Sequence, residues 1–271
     1  MSWQTIDGIR VYFRLSGDPG GTPLVLLHGL QGDSSHFETL APTLARHYRV
    51  LVFDQRGSGW SDKPAGEYTT DLLADDAVAL MDRLALERAD VFGVSMGGMI
   101  AQELALRHPD RIHALILGCT SARGADGTSV NRGTEESAYD LVPISAEERA
   151  RRLAATGLSA AFLEAHPEVV ETLIEARRRR PLDIDALTRR HQAVQQHDTL
   201  ARLDRIRAPT LVVTGLEDMI VPPASSRLLA ERIPGARLET LDGAGHLFWM
   251  EQPARTARLA REFIAAHRPG H

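Results

Sequence analysis

The stretch Ala89-Asp90-Val91-Phe92-Gly93-Val94-Ser95-Met96-Gly97-Gly98-Met99-Ile100-Ala101 constrains this chain more than any other. Its first half is a short apolar run, and its second half begins a helical pattern that reaches about His108. The spacing Gly93-x-Ser95-x-Gly97 fits an abrupt turn between the two. At the apex of so tight a turn the backbone is strained, and the positions two before and two after come so close that a side chain would clash. The expectation is a buried strand, Ser95 at the turn, and a helix from Met96 whose free N–H groups point back at Ser95. Such a turn needs a sheet to launch it and a helical layer to receive it.

The rest of the chain supplies both. Leu24-Val25-Leu26-Leu27 and Val50-Leu51-Val52-Phe53 are continuous apolar runs of the kind found in strands covered on both faces. Asp7-Gly8 reads as a hairpin turn between strands at 4–6 and 9–15. Helices are expected over 35–46, capped by Ser34 or Ser35, and over 70–86, with a further strand at 112–117. Strands alternating with helices imply an α/β fold with a mainly parallel sheet, its site built by loops at the carboxyl ends of the strands. His28, Asp54, Ser95 and Cys119 all fall at such ends.

From about Ser121 the alternation stops. Residues 121–142 are polar and glycine-rich, and 144–156, 168–180 and 183–200 read as helices without strands between them. This predicts a core of 1–121 and 206–271 and a helical cap of 122–205 lying over the active edge as a lid. Arg177-Arg178-Arg179-Arg180 reads as a solvated helix end, favoured by the helix dipole. After Pro209 the pattern resumes, with strands at 210–214 and 237–241, a helix opened by Pro222-Pro223, and a closing helix over 252–266.

Composition excludes several classes. A chain of 271 residues, 43% hydrophobic and 25% charged, can bury a substantial centre. A net charge of −5 argues against a nucleic-acid partner. No apolar run approaches membrane-spanning length, and the first residues do not read as a signal peptide. Cys119 is the sole cysteine, so no intrachain disulfide can form, and it reads as a small buried hydrophobe at a strand end. The expectation is a cytoplasmic protein acting on a small molecule, with no membrane partner and with room left for a homo-oligomer. Residues 54–61 do not form a dinucleotide fingerprint, and no His/Cys/Asp/Glu set has metal-ligand spacing, so neither cofactor nor metal is expected.

Five motifs stand at regular intervals: His28-Gly29, Asp54-x-Arg56-Gly57-x-Gly59-x-Ser61, Gly93-Val94-Ser95-Met96-Gly97-Gly98, Gly215-x-x-Asp218 and Gly243-x-Gly245-His246. Together they closely resemble the α/β-hydrolase superfamily over essentially the whole chain. The resemblance implies an inserted helical lid on an α/β-hydrolase fold. It also implies a triad of Ser95 as nucleophile, His246 as base and Asp218 as its orienting carboxylate, with Glu217 a less apt neighbour of Asp218. The backbone N–H groups of Leu30 and Met96 would form the oxyanion hole, with His28 shaping that loop and Asp54 and Arg56 holding theirs by local hydrogen bonds. Trp60, Met99, Ile220, Phe248 and Trp249 are candidates for an acyl pocket, although core packing explains most of them equally well.

The Ser-Met-Gly-Gly elbow and compact lid look most like the serine esterase, perhydrolase and enol-lactonase branch. A serine at the elbow disfavours the branches that use an aspartate nucleophile, and the Gly-Gly-Gly motif of many lipases is absent. The expected activity is cofactor-free hydrolysis of a small carboxylic ester or lactone. C–C bond hydrolysis or perhydrolysis on the same triad is the enzymatic alternative, and a ligand-sensing receptor with little turnover is the non-enzymatic one. The loop Leu30-Gln31-Gly32-Asp33 departs from the Gly-Pro-rich pattern of the C–C hydrolases.

Overall fold

The computed structural model describes residues 2–123, 141 and 144–268. The chain opens with the expected hairpin, β1 (Ser2–Ile6) and β2 (Ile9–Ser16), turning at Asp7 and Gly8. Then follow β3 (Pro23–Leu27), a short helix α1 (Ala41–Leu44), β4 (Arg49–Phe53), α2 (Thr70–Arg83), β5 (Ala89–Val94), α3 (Met96–Arg107) and β6 (Ile112–Gly118). Four helices come next, α4 (Ala146–Gly157), α5 (Ala160–Ala165), α6 (Glu168–Arg179) and α7 (Ile184–Gln196). The chain closes with β7 (Thr210–Gly215), α8 (Pro223–Arg232), β8 (Arg237–Leu241), α9 (Phe248–Glu251) and α10 (Pro253–Ala266).

The eight strands form one sheet in the order β1-β2-β4-β3-β5-β6-β7-β8. Only β1–β2 and β2–β4 pair antiparallel, so from β4 to β8 every carboxyl end opens on one rim. Successive side chains of a strand face opposite ways, and the two cores divide accordingly. Val25, Leu27, Leu51, Val91 and Leu115 pack with α2 and α3. Leu24, Leu26, Val50, Phe92 and Ile116 pack on the other face with α1 and α10. Both faces are dry, which is why the central strands read as unbroken apolar runs.

Three expectations need correction. The helix foreseen over 35–46 is a 3-10 turn, Ser34–Phe37, followed by the separate α1, and Asp33 rather than a serine caps the first of these. Pro42 explains the break, because its ring clashes with the carbonyl four residues back and it has no N–H to bond. The helix foreseen over 183–200 stops at Gln196, and a 3-10 turn follows at Leu200–Arg205. The arginine run is not a solvated end. Arg178 and Arg179 are exposed, but Arg177 and Arg180 are buried. Most of the polar, glycine-rich stretch foreseen over 121–142 lies outside the described residues.

Among the described residues no strand interrupts α4 to α7, and no helix is long and apolar enough to cross a membrane. These four helices, called the cap below, are bonded to the rest of the chain at several places, two of them loops of the rim. At the first, Leu247 N–H donates to Gly157 O (2.7 Å), and the Glu251 carboxylate accepts from Ser159 Oγ (2.6 Å) and Gly245 N–H (2.7 Å). The second is the loop after β3, where arginines of α6 and α7 make the contacts.

Candidate active site

Ser95 stands at the turn between β5 and α3 with φ +54°, a left-handed conformation rare for a residue with a side chain. The flanking glycines answer to geometry. A Cβ on Gly93 would overlap the Gly97 carbonyl, and one on Gly97 would overlap that of Leu27. The strained turn is pinned from β6: Ser95 N–H donates to Gly118 O (2.9 Å), and Thr120 Oγ1 donates to Ser95 O (2.8 Å).

Asp218 and His246 arrive from the ends of β7 and β8. Asp218 Oδ1 accepts the N–H groups of Ile220 and Val221, both at 2.8 Å, which leaves Oδ2 aimed at His246 Nδ1, also 2.8 Å away. Burial disfavours the His246 cation, but the Asp218 carboxylate outweighs it and holds the imidazole pKa well above its ordinary value. Cys119 completes the cluster. It is buried at φ +41°, beside the Ser95 backbone and the His246 ring, and burial pushes its thiol pKa up. Cys119, Asp218 and His246 offer ligand atoms within 4.8 Å of one another, but Asp218 and His246 spend theirs on each other and on the turn. Ser95 Oγ makes no hydrogen bond to His246 among the described residues.

Facing Ser95 across the rim is the loop after β3. A side chain on Gly29 would lie 3.1 Å from Ser95 Cβ and 3.5 Å from its Oγ, so the backbone runs directly against Ser95. Neither Leu30 N–H nor Met96 N–H has an acceptor among the described residues. His28 holds the loop from beneath, its Nδ1 donating to Gly29 O (2.9 Å) while Nε2 accepts Gln55 N–H (3.3 Å). Burial, then the nearby Arg190 charge, keep His28 neutral. Asp54 accepts Ser34 N–H (2.7 Å) and Trp60 N–H (2.8 Å), tying the loops after β3 and β4 together. Arg56 does not hold its own loop. It forms a short, partly buried ion pair with Asp76 of α2 (2.5 Å).

The pocket candidates divide. Met99, Phe248 and Trp249 are packed into the two cores, Phe248 lying against Gly118 and Trp249 donating from Nε1 to His36 O (2.9 Å). Ile220 is buried at the Asp218 turn. Trp60 gives one face to the Arg180 guanidinium, 4.0 Å from the ring centroid, and meets Tyr12 edge-on.

Sequence reading took Arg177 and Arg180 for part of a solvated helix end and passed over Arg190. Arg180 donates to Asp33 Oδ1 (2.8 Å) and Ser34 Oγ (3.1 Å), and Arg177 to Gln31 O (2.7 Å). Arg190 of α7 donates to four oxygens: Gly29 O, Leu30 O, Arg56 O and Gln55 Oε1, each at 3.1 Å. One signal was available: positions 177 and 180, three apart, share a helix face that 178 and 179 do not.

Comparison with known proteins agrees with this fold. The family described as alpha/beta hydrolase fold matches residues 22–253. The chain is 34% identical to a 2-hydroxymuconate semialdehyde hydrolase of Pseudomonas sp. (strain CF600), with 95% of this chain and 91% of that one aligned. It is 29% identical to 3-oxoadipate enol-lactonase 2 of Acinetobacter baylyi, covering 92% and 91% of the two chains. Among solved structures, a thermophilic esterase from Thermogutta terrifontis superposes with a TM-score of 0.84 at 28% identity, covering 99% of this chain and 100% of that one. Fold, matched length and relatives agree: this chain belongs to the α/β-hydrolase family.

Proposed function

We propose that this protein hydrolyses a small carboxylic ester or lactone through an acyl-enzyme on Ser95. The observation that carries the reading is the buried Asp218–His246 pair at 2.8 Å on the same rim as Ser95, held in a strained left-handed turn. Ser95 Oγ attacks the carbonyl carbon while its proton passes to His246 Nε2. The developing oxyanion takes the N–H groups of Leu30 and Met96, each donor worth on the order of 3 kcal/mol. His246 returns the proton to the departing alkoxide, then takes one from the water that attacks the acyl carbonyl and gives it to Ser95 Oγ as the acyl–oxygen bond breaks and the acid leaves. In a lactone the alkoxide stays tethered to the acyl group. The esterase and the enol-lactonase among the relatives support this substrate class.

A second reading has its own support. The relative at 34% identity is named a 2-hydroxymuconate semialdehyde hydrolase, which favours C–C bond cleavage on the same residues. A panel of p-nitrophenyl esters, simple lactones and 2-hydroxymuconate semialdehyde separates the two. Ser95→Ala should lose roughly 10³-fold or more in kcat on whichever substrate is turned over. A serine-directed phosphonate should add to wild type and not to the variant. Equal rates in the two proteins would overturn the enzymatic reading and leave a ligand sensor. Because neutral His246 is the base and Asp218 holds its pKa above 6.5, kcat/KM should rise with pH through a midpoint above 6.5.

A further inference from the structure

Arg190 is a cation buried to 1% exposure, with no carboxylate within ion-pair distance among the described residues. Burial lowers its pKa to about 10, so it stays charged at neutral pH. Burying such a charge is costly, and apolar residues could join cap and core as firmly. What a guanidinium does and an apolar residue cannot is reach several acceptors in one plane. All four acceptors here are neutral oxygens of the loops after β3 and β4.

One of the four matters most. Gly29 O and Leu30 N–H belong to the same peptide group, and in a trans peptide they point in opposite directions. All peptide bonds described are trans. Whatever grips Gly29 O therefore aims Leu30 N–H. Three donors grip it: His28 Nδ1 at 2.9 Å from below, Gly32 N–H at 3.1 Å within the loop, and Arg190 Nη2 at 3.1 Å from the cap. The next two carbonyls, Leu30 O and Gln31 O, are held by Arg190 Nε and Arg177 Nη2. A charged donor on the carbonyl also polarises the peptide and makes its N–H a stronger donor.

We propose that Arg190 is a positioning residue for the oxyanion hole, and that through it the cap is a working part of the catalytic site rather than only its cover. The inference rests on reading Leu30 N–H as an oxyanion donor. Arg190 touches no reacting atom. It acts by fixing the plane and polarity of the peptide that does.

The test uses full-length wild type, Arg190→Lys, Arg190→Met and Arg190→Ala. Lysine keeps the charge but cannot span four acceptors, so it should fail almost as badly as methionine. Both should lose roughly 10–100-fold in kcat on p-nitrophenyl acetate, the range for a misaimed donor, with KM within about threefold. Affinity for phenylboronic acid, whose serine adduct puts a tetrahedral oxygen in the hole, should fall by the same factor as kcat/KM. Millimolar guanidinium chloride should restore part of kcat to Arg190→Ala and none to Arg190→Met, where the side chain fills the space. Hydrogen exchange of residues 28–34 should quicken in every variant. If the methionine and alanine variants do not fold, the lysine variant decides. A folded Arg190→Lys with wild-type kcat and wild-type exchange in that loop overturns the proposal, as does a loss confined to KM. If wild type neither turns over an ester nor takes a phosphonate on Ser95, the hydrolase reading is what fails. Exchange in residues 28–34 then decides the role of Arg190 alone.

Discussion

Ser95, Asp218 and His246 ride on the sheet, while the loop that faces them across the rim hangs from the cap. The sheet side is fixed by short-range means: a strained turn, two glycines with no room for a Cβ, and Asp218 bonded to amides two and three residues on. The opposite side has local bonds too, from His28 and Gly32 to Gly29 O, but it adds contacts that span 146 to 161 residues of sequence: Arg177 to Gln31, Arg180 to Asp33 and Arg190 to Gly29. The first kind of support is apolar burial and backbone geometry, and the second is charge. Damage on the sheet side should therefore show in chemistry before stability, and damage on the cap side should show in both.

Asp218→Asn tests the sheet side most sharply. The oxygen of the introduced amide can keep the bonds from Ile220 and Val221, so the turn should survive. Its NH₂ then faces His246 Nδ1 and demands the wrong tautomer there. We expect kcat to fall about 10⁴-fold while the melting temperature moves by no more than about 4 °C. The acid limb of any residual activity should shift to lower pH, since the carboxylate that raises the His246 pKa is gone. A large loss of stability instead would mean that the triad is also a structural clamp.

This contrast also explains what the sequence made legible. The elbow, the parallel sheet and the order Ser95, Asp218, His246 could be read because each depends on residues close together in the chain. Gly93 and Gly97 encode a close approach directly, and the apolar runs of β3, β4 and β5 encode burial on both faces. The break at Glu38–Leu40 was readable too, from Pro42, but the surrounding helical pattern masked it. Arg177 and Arg180 were not legible in the same way. A run of four arginines looks the same in solution as it does when two of its members find a carbonyl and a carboxylate 146 and 147 residues away. Cys119 lay at a foreseen strand end, yet its contact with His246 depends on β8 reaching the same rim.

The cap side offers a contrast within a single helix turn. Arg180→Ala would strand Asp33 and Asp54, both buried, which now share that guanidinium at 2.8 Å and 3.6 Å. Arg180 is one of the charges that hold the Asp33 pKa down at about 2, while burial and the Asp33 charge raise that of Asp54. Breaking a buried pair from one side costs about 3–5 kcal/mol, so the urea midpoint should drop sharply. Arg179→Ala, one position earlier but exposed and paired only with Glu175 among the described residues, should stay within about 0.5 kcal/mol. Equal effects in the two variants would erase the distinction between a structural and a solvated charge at the C-terminal end of α6.

The smallest effect expected of a buried group concerns protons at the seam between cap and core. His197 follows α7, is buried, and joins Thr70 Oγ1 of α2 (3.0 Å) to Thr199 Oγ1 (3.4 Å). Burial, with the Arg202 charge, lowers its pKa to about 3 from an ordinary value of 6.5. A folded-state pKa below the unfolded one means that the unfolded chain binds the proton first. The neutral ring's contribution is therefore complete above pH 6.5 and drains away as pH falls toward 3. Well inside that window each pH unit removes about 1.4 kcal/mol. His197→Gln keeps an amide able to bond both threonines and removes the titration. Between about pH 5.5 and 4.5 the unfolding free energy of wild type should fall faster than that of the variant, by about 1.3 kcal/mol. His28, also buried neutral, is untouched by the substitution, so it adds the same slope to both proteins and cancels in the difference. Parallel pH profiles would show that His197 meets water readily, and that the cap is looser at this seam than at the loop gripped by Arg190.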